Sequence, residues 1–516
     1  MPSRLQLVAV VGVAVVVTAG STHRAKAQPQ PLLVTHGIAS GDVTDSSAVI
    51  WARASGRAQM HVELATDADF SSVKSSRTAP VLEENDFTAH LAVDGLQAAT
   101  RYWYRVWFAG AGGTGRSHAA HSTVGTFKTA PAPAESQAIS FIVGADVGGQ
   151  QFCRGAQHGG YTIFASMEAL APDFFIANGD MIYADGDCPA EVRNPDGVVI
   201  WENIPGDFPS IAHPSVDWTD TAAVREVFLR HYRYNRADPF YQSFMRRVPT
   251  ISQWDDHEVI NDFGAPWAYW NSATVSRAGY PNIVRAGLDT FFAYSPIRRQ
   301  DDDPDRIYRS FRYGQHLEVF VLDARSYRDR NDVPDTPEND KQMLGREQLA
   351  WLVEGLRTST ATWKVVSSDV PMSIFTGSVA FGRDAWANLG AEPTGFEREL
   401  LRMLSELDRI NAKNVVFVTT DVHFAQTIKY DLDADADGDR LVLHELVSGP
   451  LNAAALVVKP LDPAANPVSL YAEGGIFNFS YVRIEPQPDG TAHLLADVRG
   501  ADGVPRPGSH LHLVAR

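Results

Sequence analysis

The sequence predicts a layered α/β domain preceded by a small all-β sandwich. Two observations support this division. From Pro31 to about Thr129, short runs alternate between apolar and polar residues, which is typical of β-strands. From Ile139 onward, apolar strand-like runs alternate with amphipathic helical stretches, which is the rhythm of an α/β sheet with helices on both faces. A chain of 516 residues is too long for one ordinary core, so two domains are expected.

Residues 1–27 have the pattern of a secretory signal peptide. Arg4 precedes a small, apolar run at residues 8–19, and residues 25–27 offer a small-x-small cleavage site. The run is too short for a membrane span, and no second run approaches that length. A twin-arginine pair is missing, which favours export of an unfolded chain. We therefore expect a secreted or periplasmic protein.

The all-β domain is expected over residues 31–129. Its strands are predicted at residues 47–53, 59–64, 89–93 and 102–108. The turn at residues 95–100 resembles the one that opens the tyrosine-corner strand of fibronectin type III domains. A Pro/Ala linker at residues 130–138 ends the domain, because proline cannot continue a strand ladder.

Residues 139–516 are predicted to form the α/β domain. Buried strands are predicted at residues 139–144, 174–177, 249–254, 317–322, 363–368 and 414–420. Helices are predicted at residues 162–170, 345–356 and 397–409. The alternation is that of βαβ units and predicts parallel pairing.

The formal net charge of −17 narrows the range of partners. A phosphate backbone or an anionic membrane surface attracts concentrated Lys and Arg, which the sequence does not offer. We therefore expect no nucleic-acid docking surface and no membrane span, and we expect a monomer.

Polar side chains follow the predicted strands at the points where the strands end. In open α/β folds this carboxyl edge of the sheet holds the ligand site, so these side chains are expected to lie together. The set is Asp146, Asp180, Tyr183, Asp255, Asp256, His257, Asn261, Asp262, Asp323, Arg325, Asp369, Asp421 and His423.

This set favours metal chemistry over covalent catalysis. The sequence has no Ser or Cys in a nucleophile-elbow context and no glycine-rich phosphate loop. Carboxylates with an imidazole and a phenol suit iron paired with an oxygen-preferring ion such as Ca²⁺, Mn²⁺ or Mg²⁺. Two such ions can activate a water and hold a phosphoryl oxygen, so metal-assisted phosphoester hydrolysis is predicted.

Five motifs occur in order along the chain, at residues 36–43 with 49–53, 254–258, 322–328, 348–352 and 421–423. Together they resemble the alkaline phosphatase D (PhoD) type metallophosphoesterases over nearly all of the mature protein. The resemblance implies a calcineurin-like catalytic domain behind a fibronectin-like domain. Gly-Asp-x-x-Tyr alone also occurs in purple acid phosphatases, but their Gly-Asn-His-Glu and Gly-His-x-His motifs are absent.

The resemblance also implies a ligand set. Asp180 corresponds to the carboxylate that bridges the metals, Tyr183 and His423 to ligands of Fe(III), and Asp255 and Asp421 to ligands of a second ion. That ion is Ca²⁺ by resemblance, with Mn²⁺, Mg²⁺ or Zn²⁺ as alternatives.

One position departs from the family pattern. Where the family commonly ends its first strand in Ser-Cys, this chain has Ala145 and Asp146, so a carboxylate replaces the thiolate of the iron site. Harder ligation favours Fe(III). A further family ligand between the second and third strands has no clear match, and Asn235 is one candidate.

Other residues carry two interpretations each. His257, Asn261 and Arg325 are candidate catalytic residues. His257 and Asn261 could contact phosphate, although a structural role is open for both, and Arg325 could form a structural ion pair with Asp323. Asp256 is expected to point away from Asp255 on a strand, so it would either support the metal ligands from behind or have a structural role. The acidic segment 433–439 resembles the start of an EF-hand, but His444 stands where Glu is needed, so a solvated hairpin loop is favoured.

The chain has two cysteines, Cys153 and Cys188, in the loops that follow the first two candidate metal strands. Because an exported protein meets an oxidising environment, a disulfide between them is predicted. The competing interpretation makes Cys153 a metal thiolate.

The function predicted from the sequence is hydrolysis of a small or polymeric phosphate ester. Two alternatives remain at this stage: a phospholipase D-type phosphodiesterase, and a non-catalytic exported binding protein with structural Ca²⁺. Tyr183 and His423 count against the second, because structural calcium sites do not need a phenol and an imidazole.

Overall fold

Two large β-sheets lie face to face in the computed structural model, which describes residues 32–110, 122–264, 279–378, 382–387 and 395–516. The predicted signal peptide, residues 1–27, lies outside the described residues. None of the helices in the described ranges combines the length and the apolar character that crossing a bilayer requires.

The strands of the described chain are β1 (Val34–Gly41), β2 (Ser47–Ala54), β3 (Ala58–Ala65), β4 (Val73–Val81), β5 (Thr88–Asp94), β6 (Arg101–Ala109), β7 (Thr123–Lys128), β8 (Ile139–Gly144), β9 (Phe174–Asn178), β10 (Glu191–Arg193), β11 (Val199–Glu202), β12 (Thr250–Gln253), β13 (Arg309–Tyr313), β14 (Leu317–Val321), β15 (Trp363–Ser367), β16 (Gly377–Ser378), β17 (Gly382–Arg383), β18 (Val415–Thr419), β19 (Ala425–Leu432), β20 (Leu441–Val447), β21 (Pro467–Glu473), β22 (Asn478–Pro486), β23 (Ala492–Gly500) and β24 (Leu511–Val514). The α-helices are α1 (Ile163–Ala169), α2 (Thr221–Arg236), α3 (Pro239–Met245), α4 (Tyr280–Tyr294), α5 (Gly345–Thr358) and α6 (Glu397–Arg409).

The first large sheet has the strand order β24-β23-β22-β8-β9-β12-β1-β2-β5, and the second has the order β13-β14-β15-β18-β20-β19-β21. In the first sheet β8, β9, β12 and β1 are parallel, and in the second β14, β15, β18 and β20 are parallel. A four-stranded sheet has the order β4-β3-β6-β7, and β10-β11 and β16-β17 form two hairpins.

The interior between the two large sheets is filled by apolar side chains from both, among them Phe141, Phe174, Val319, Val365 and Val416. Helices α1 to α4 pack on the outer face of the first sheet, and α5 and α6 on the outer face of the second. The prediction of one sheet with helices on both faces is therefore wrong in one respect: two sheets share an interior, and each has helices on one face only.

This layering explains the sequence pattern of the central strands. Strands that are covered on both faces are continuously apolar instead of alternating. Thus β9 and β18 are buried at every residue. A strand pattern of this kind cannot distinguish helices from a second sheet as the covering layer.

The N-terminal strands form a sandwich in which β1, β2 and β5 face β3, β4, β6 and β7 across their own apolar core. Strand β1 also pairs in parallel with β12, with Gly41 opposite Thr250. The first large sheet therefore continues into the sandwich. The segment predicted as a linker, residues 130–138, is hydrogen-bonded both to the N-terminal sandwich and to the second large sheet. The Ala130 N–H donates to the Thr44 carbonyl at 3.0 Å, and the Gly314 N–H, in the turn after β13, donates to the Pro131 carbonyl at 3.1 Å.

Candidate metal centre

Acidic side chains from both large sheets meet at the carboxyl ends of the parallel strands. They follow β8, β9, β12, β15 and β18 in turn and are Asp146, Asp180, Asp255, Asp369 and Asp421. Hydrogen bonds join the two sheets here, because the Asn178 amide donates to the carbonyls of Ser368 and Val418 at 3.0 and 3.2 Å. The edge of one sheet is thereby fixed against the edge of the other.

Four of the predicted ligands have a left-handed backbone, which is uncommon in residues other than glycine. Their φ angles are 62° at Asp146, 50° at Asp180, 71° at Asp421 and 60° at His423. Such a conformation costs about 1 kcal/mol or more, and strained residues of this kind cluster at functional sites. The turns bring ligand atoms of Asp146, Asp180 and His423 within 4.8 Å of one another.

Tyr183 joins this first cluster. Its Oη lies 2.8 Å from Nε2 of His423 and 3.4 Å from Oδ1 of Asp146. The Nδ1–H of His423 donates to the Ala454 carbonyl at 2.7 Å, which leaves the lone pair of Nε2 facing the cluster. Burial lowers the pKa of His423 to about 4, so the ring is neutral. The four residues predicted to surround the iron site are therefore brought together.

A second cluster is formed by Asp255, Asp256 and Asp421, whose carboxylate oxygens lie within 4.8 Å of one another. Asp180 also forms a group of the same size with Asp256 and His257. The Asp180 carboxylate is therefore common to the first cluster and to the residues that surround the second.

The Arg325 guanidinium is fully buried among carboxylates. Its Nε lies 2.5 Å from Oδ1 of Asp255 and 3.2 Å from Oδ2 of Asp369, and its Nη1 lies 2.7 Å from Oδ2 of Asp384. Asp384 was not among the residues selected from the sequence. Such a fork of charge-assisted hydrogen bonds fixes the orientation of each carboxylate.

The ion pair between Asp323 and Arg325 that the sequence left open is not formed. Oδ1 of Asp323 instead accepts hydrogen bonds from the Arg325 backbone N–H at 3.1 Å and from the Trp254 indole at 2.9 Å. Asp323 orders the turn after β14, and this turn delivers the guanidinium to the other carboxylates.

The electrostatics of the two clusters favour bound cations. Within the described residues, buried carboxylate oxygens lack a hydrogen-bond partner at Oδ2 of Asp146, Asp255 and Asp421 and at Oδ1 of Asp256. Burial, reinforced by neighbouring carboxylates, raises well above its usual range the pKa of each of Asp146, Asp180, Asp255 and Asp421. Bound cations would provide partners for the free oxygens and would lower the raised pKa values. A donor set of carboxylates, one phenol and one imidazole fits hard metal ions.

His257 is held against the first cluster by Asp185, which the sequence analysis missed. Nδ1 of His257 lies 2.6 Å from Oδ1 of Asp185, and the ring stacks on Tyr183 with centroids 4.1 Å apart. Burial opposes a charge on the ring, but Asp185 and other carboxylates raise the pKa of His257 to about 10. Asn261 is placed by the same carboxylate, since its backbone N–H donates to Oδ2 of Asp185 at 2.9 Å.

Glu258 is a second residue that the sequence analysis did not assign. Its Oε2 accepts from the backbone N–H groups of Asp180 and Asp255, both at 2.9 Å, and its Oε1 accepts from Met181 at 2.7 Å. One fully buried carboxylate therefore holds the turns that follow β9 and β12.

The Asn235 side chain links two turns beside the candidate metal centre. Its Oδ1 accepts from the Tyr161 hydroxyl at 2.7 Å, and its Nδ2 donates to the carbonyls of Val147 and Met181 at 3.3 and 2.9 Å. The amide thus ties together the turns after β8 and β9.

The acidic segment 433–439 lies between β19 and β20, with Asp435 and Asp437 ordering local turns.

Cys153 and Cys188 form a disulfide, with Cα atoms 5.8 Å apart. The prediction is confirmed, and Cys153 as a thiolate ligand is excluded. The bond joins the loops after β8 and β9, and the Asn452 amide donates to the Cys153 carbonyl at 2.9 Å.

Gly449 allows a close approach to the first cluster. It has φ +101°, and a Cβ there would lie 2.2 Å from Oδ2 of Asp146. Only glycine leaves room for the Asp146 carboxylate in its present position.

Family models and one curated relative match this chain. The model of the PhoD-like phosphatase matches residues 143–481, and that of the PhoD-like phosphatase N-terminal domain matches residues 19–131. The chain belongs to the PhoD-like phosphatase family. Alkaline phosphatase D of Bacillus subtilis (strain 168) is 27% identical over 446 residues, which cover 80% of this chain and 68% of the relative.

Two solved structures share the fold. A structure of PhoD superposes with a TM-score of 0.70 at 20% identity and covers 93% of this chain and 92% of its own. A purple acid phosphatase from yellow lupin (Lupinus luteus) seeds superposes with a TM-score of 0.56 at 12% identity, over 93% of this chain and 74% of its own. The chain therefore shares its fold with PhoD and with this purple acid phosphatase, and its N-terminal region is all-β.

As a PhoD-like phosphatase, the protein is a phosphoric ester hydrolase that acts with metal ions on a phosphate ester. The non-catalytic binding protein that the sequence left open as an alternative is thereby set aside.

Proposed function

We propose that this phosphatase is an exported enzyme that hydrolyses phosphate esters at a dinuclear metal centre. The observation that supports it most is the position of Asp180, whose carboxylate belongs both to the group with Asp146 and His423 and to the group with Asp256 and His257. A carboxylate shared in this way is what a bridging ligand requires.

The ligands divide between the two ions by their clusters. Asp146, Tyr183 and His423 would hold Fe(III), because phenolate and carboxylate favour a trivalent ion. Asp255 and Asp421 would hold the second, divalent ion, with Ca²⁺ first and Mn²⁺, Mg²⁺ or Zn²⁺ as alternatives. The two ions would supply the positive charge that polarises the phosphoryl group and lowers the pKa of a water molecule.

The residues around the ions orient the substrate and the ligands. His257, charged and fixed by Asp185, would donate a hydrogen bond from Nε2 to the phosphoryl group. Asn261 lies beside it. Arg325 is a positioning residue, since its guanidinium is used by Asp255, Asp369 and Asp384 and is fully buried. In the reaction, water oxygen bonds to phosphorus, and the alcohol leaves with a proton.

The remaining assignments concern location and organisation. Residues 1–27 would be the signal peptide, which makes the mature protein secreted or periplasmic. Residues 31–129 would be the fibronectin-like domain and residues 139–516 a calcineurin-like catalytic domain, joined through residues 130–138. The enzyme would act as a monomer.

The test combines metal analysis with paired chromogenic substrates, a phosphate monoester and a phosphate diester with the same leaving group. We expect two metal ions per chain and hydrolysis of at least one substrate, and a phospholipase D-type enzyme would prefer the diester. In Asp180→Asn turnover should fall at least ~10²-fold, as when a stabiliser of the transition state is lost.

Asp173→Asn is the matched control, because Asp173 lies at the other end of the same strand and accepts from the Ser140 N–H at 2.9 Å. Full metal content and unchanged turnover in Asp180→Asn would refute the proposal.

A further inference from the structure

Two cationic side chains, carried by segments that adjoin the metal centre, have no carboxylate partner within the described chain. The Arg383 guanidinium lies 4.5 Å from the centroid of the Phe375 ring, and the Lys459 ammonium lies 5.5 Å from the same centroid. Nζ of Lys459 also donates to the Phe375 carbonyl at 3.4 Å. The two charges are therefore within about 10 Å of each other, and both contact the same aromatic residue.

Arg383 is unusual because it is buried. Only 7% of the residue is exposed, and its Nε has no hydrogen-bond partner among the described residues. The other buried arginines near the site, Arg325 and Arg328, are paired with Asp384 at 2.7 and 2.5 Å. A buried N–H group without a hydrogen-bond acceptor is costly, and the cost falls when an anion binds.

Both cations lie in segments that adjoin the metal centre, Lys459 in a loop and Arg383 at the end of β17. The Leu456 N–H donates to the His423 carbonyl at 2.9 Å, and Lys459 follows in the same loop. Arg383 precedes Asp384, the carboxylate that binds Arg325. A further contact joins the chain after Lys459 to the chain before Phe375, because the Asp462 N–H donates to the Ser373 carbonyl at 2.8 Å.

We propose that Arg383 and Lys459, which both contact Phe375, form a subsite for a second anionic group of the substrate. The phosphatase would then prefer phosphate esters that carry another phosphate or a carboxylate on the alcohol side. This inference rests on the proposed function. The planar guanidinium suits bidentate contact with either anion, and the Phe375 ring holds it in place by a cation–π contact.

The charge of the whole protein is unfavourable for substrates with an additional anionic group. At a formal net charge of −17 the protein repels polyanions on average, so a local pair of cations would favour their binding. Arg325 cannot do this, because three carboxylates already use it.

The experiment compares two substrate series: alkyl phosphates of increasing chain length, and the same chains with a terminal carboxylate. In the wild type we expect the carboxylate series to have the lower KM at one preferred length. In Arg383→Gln and in Lys459→Gln this preference should shrink about tenfold, the effect of losing one hydrogen bond between charged groups. Arg383→Lys should retain part of it.

Arg357→Gln is the matched control, because Arg357 lies on α5 and pairs with Glu354 at the surface. Its substrate preference should equal that of the wild type. Metal content and a thermal melt are measured for every variant. Because Lys459 is only half-buried, Lys459→Gln is expected to fold and provides the test if Arg383→Gln does not fold.

Equal changes for both series would show that the two cations act on the scissile phosphoryl group or on the fold, and would overturn the subsite. A wild type without preference would overturn it as well. If the metal-loaded wild type hydrolyses neither series but cleaves the chromogenic diester, the subsite fails and the proposed function stands. If it cleaves no phosphate ester at all, both fail.

Discussion

Tyr183 and His423 meet across the two large sheets, with Oη 2.8 Å from Nε2. Tyr183 follows β9 of the first sheet, and His423 follows β18 of the second. The cluster around them therefore exists only when the two sheets are docked with their carboxyl edges aligned. This dependence is why residues that hold the turns and the sheet edges are expected to affect metal binding as strongly as the ligands do.

Glu258→Gln should weaken metal binding without removing a ligand. The carboxylate accepts three backbone N–H groups in the turns that carry Asp180 and Asp255, and an amide presents one acceptor fewer. Leaving a buried hydrogen-bonding group without its partner costs roughly 1–3 kcal/mol, so we expect a comparable loss of unfolding free energy and reduced metal occupancy. Chemical denaturation and metal analysis measure the two effects.

Glu399→Gln is its control. Glu399 is also fully buried and accepts from the N–H groups of Met343 and Leu344, at 2.6 and 3.0 Å, at the start of α5. This variant should lose stability but keep its metal. If both variants retain full metal occupancy, Glu258 has only a structural role.

Gly449→Ala should displace Asp146. The new Cβ would lie 2.2 Å from Oδ2, and the backbone φ of +101° is unfavourable for alanine. We expect partial loss of the ion held by the first cluster and at least a tenfold fall in turnover, the scale associated with a misplaced catalytic group.

Gly490→Ala separates the effect of backbone strain from the steric effect on Asp146. Gly490 has φ +86°, and nothing lies within 4 Å of its would-be Cβ. It should cost about 1 kcal/mol of stability through backbone strain and leave turnover intact. Equal turnover in the two variants would contradict the steric explanation.

Much of the fold follows from local patterns. The helix predicted at residues 397–409 matches α6 (Glu397–Arg409), and the strand predicted at residues 139–144 matches β8. These elements have strong periodicity or a continuous apolar run, and the first and last apolar residues of the pattern mark where each element begins and ends. The strand-end positions of Asp180, Asp255 and Asp421 follow from the same runs.

Pairing between distant strands could not be predicted. Strand β1 lies beside β12 with Gly41 opposite Thr250, and no local pattern encodes a contact of such sequence separation. The second sheet was missed for the same reason, since a strand covered on both faces is apolar whatever covers it.

The residues that orient the ligands were also hard to find. Asp185 and Glu258 lie within a few positions of predicted ligands, but their roles depend on which backbone N–H groups the turns present. Asp384 lies outside any strong strand pattern and meets Arg325 only in the folded chain.

Removing the disulfide should destabilise the protein without changing its metal site. Cys153 and Cys188 are 35 residues apart, and closing a loop of this size in the unfolded chain is worth about 4 kcal/mol in the chain-entropy account. The double variant Cys153→Ser, Cys188→Ser should lose an amount of this order in chemical denaturation. Metal content should stay, because neither sulfur is a ligand.

The reduced wild type is the control and should unfold at the denaturant concentration of the double variant. Mass spectrometry of the unreduced, alkylated protein should show two hydrogens fewer and no alkylated cysteine. Loss of iron in the double variant would show that the loops need the bond to hold the first cluster.

Tyr183→Phe should remove the colour of the iron-loaded enzyme. A phenolate bound to Fe(III) absorbs in the visible region, whereas Ca²⁺ and Zn²⁺ give no colour, so the loaded wild type should be violet or pinkish. Asp146 stands where the family commonly has a thiolate, so no thiolate band should overlap the phenolate band. Phenylalanine removes one oxygen at almost the same volume, and the stacking on His257 at 4.1 Å should be kept.

The visible spectra of metal-analysed wild type and Tyr183→Phe decide the assignment, with Tyr161→Phe as the matched control. Tyr161 is also fully buried, but its hydroxyl donates to Asn235 at 2.7 Å, so its removal should leave the band in place. An iron-replete wild type without a visible band would contradict phenolate ligation, and so would a band that survives in Tyr183→Phe. A band that disappears together with the iron would instead show that Tyr183 is needed to retain the ion, and adding Fe(III) back to the variant separates the two results.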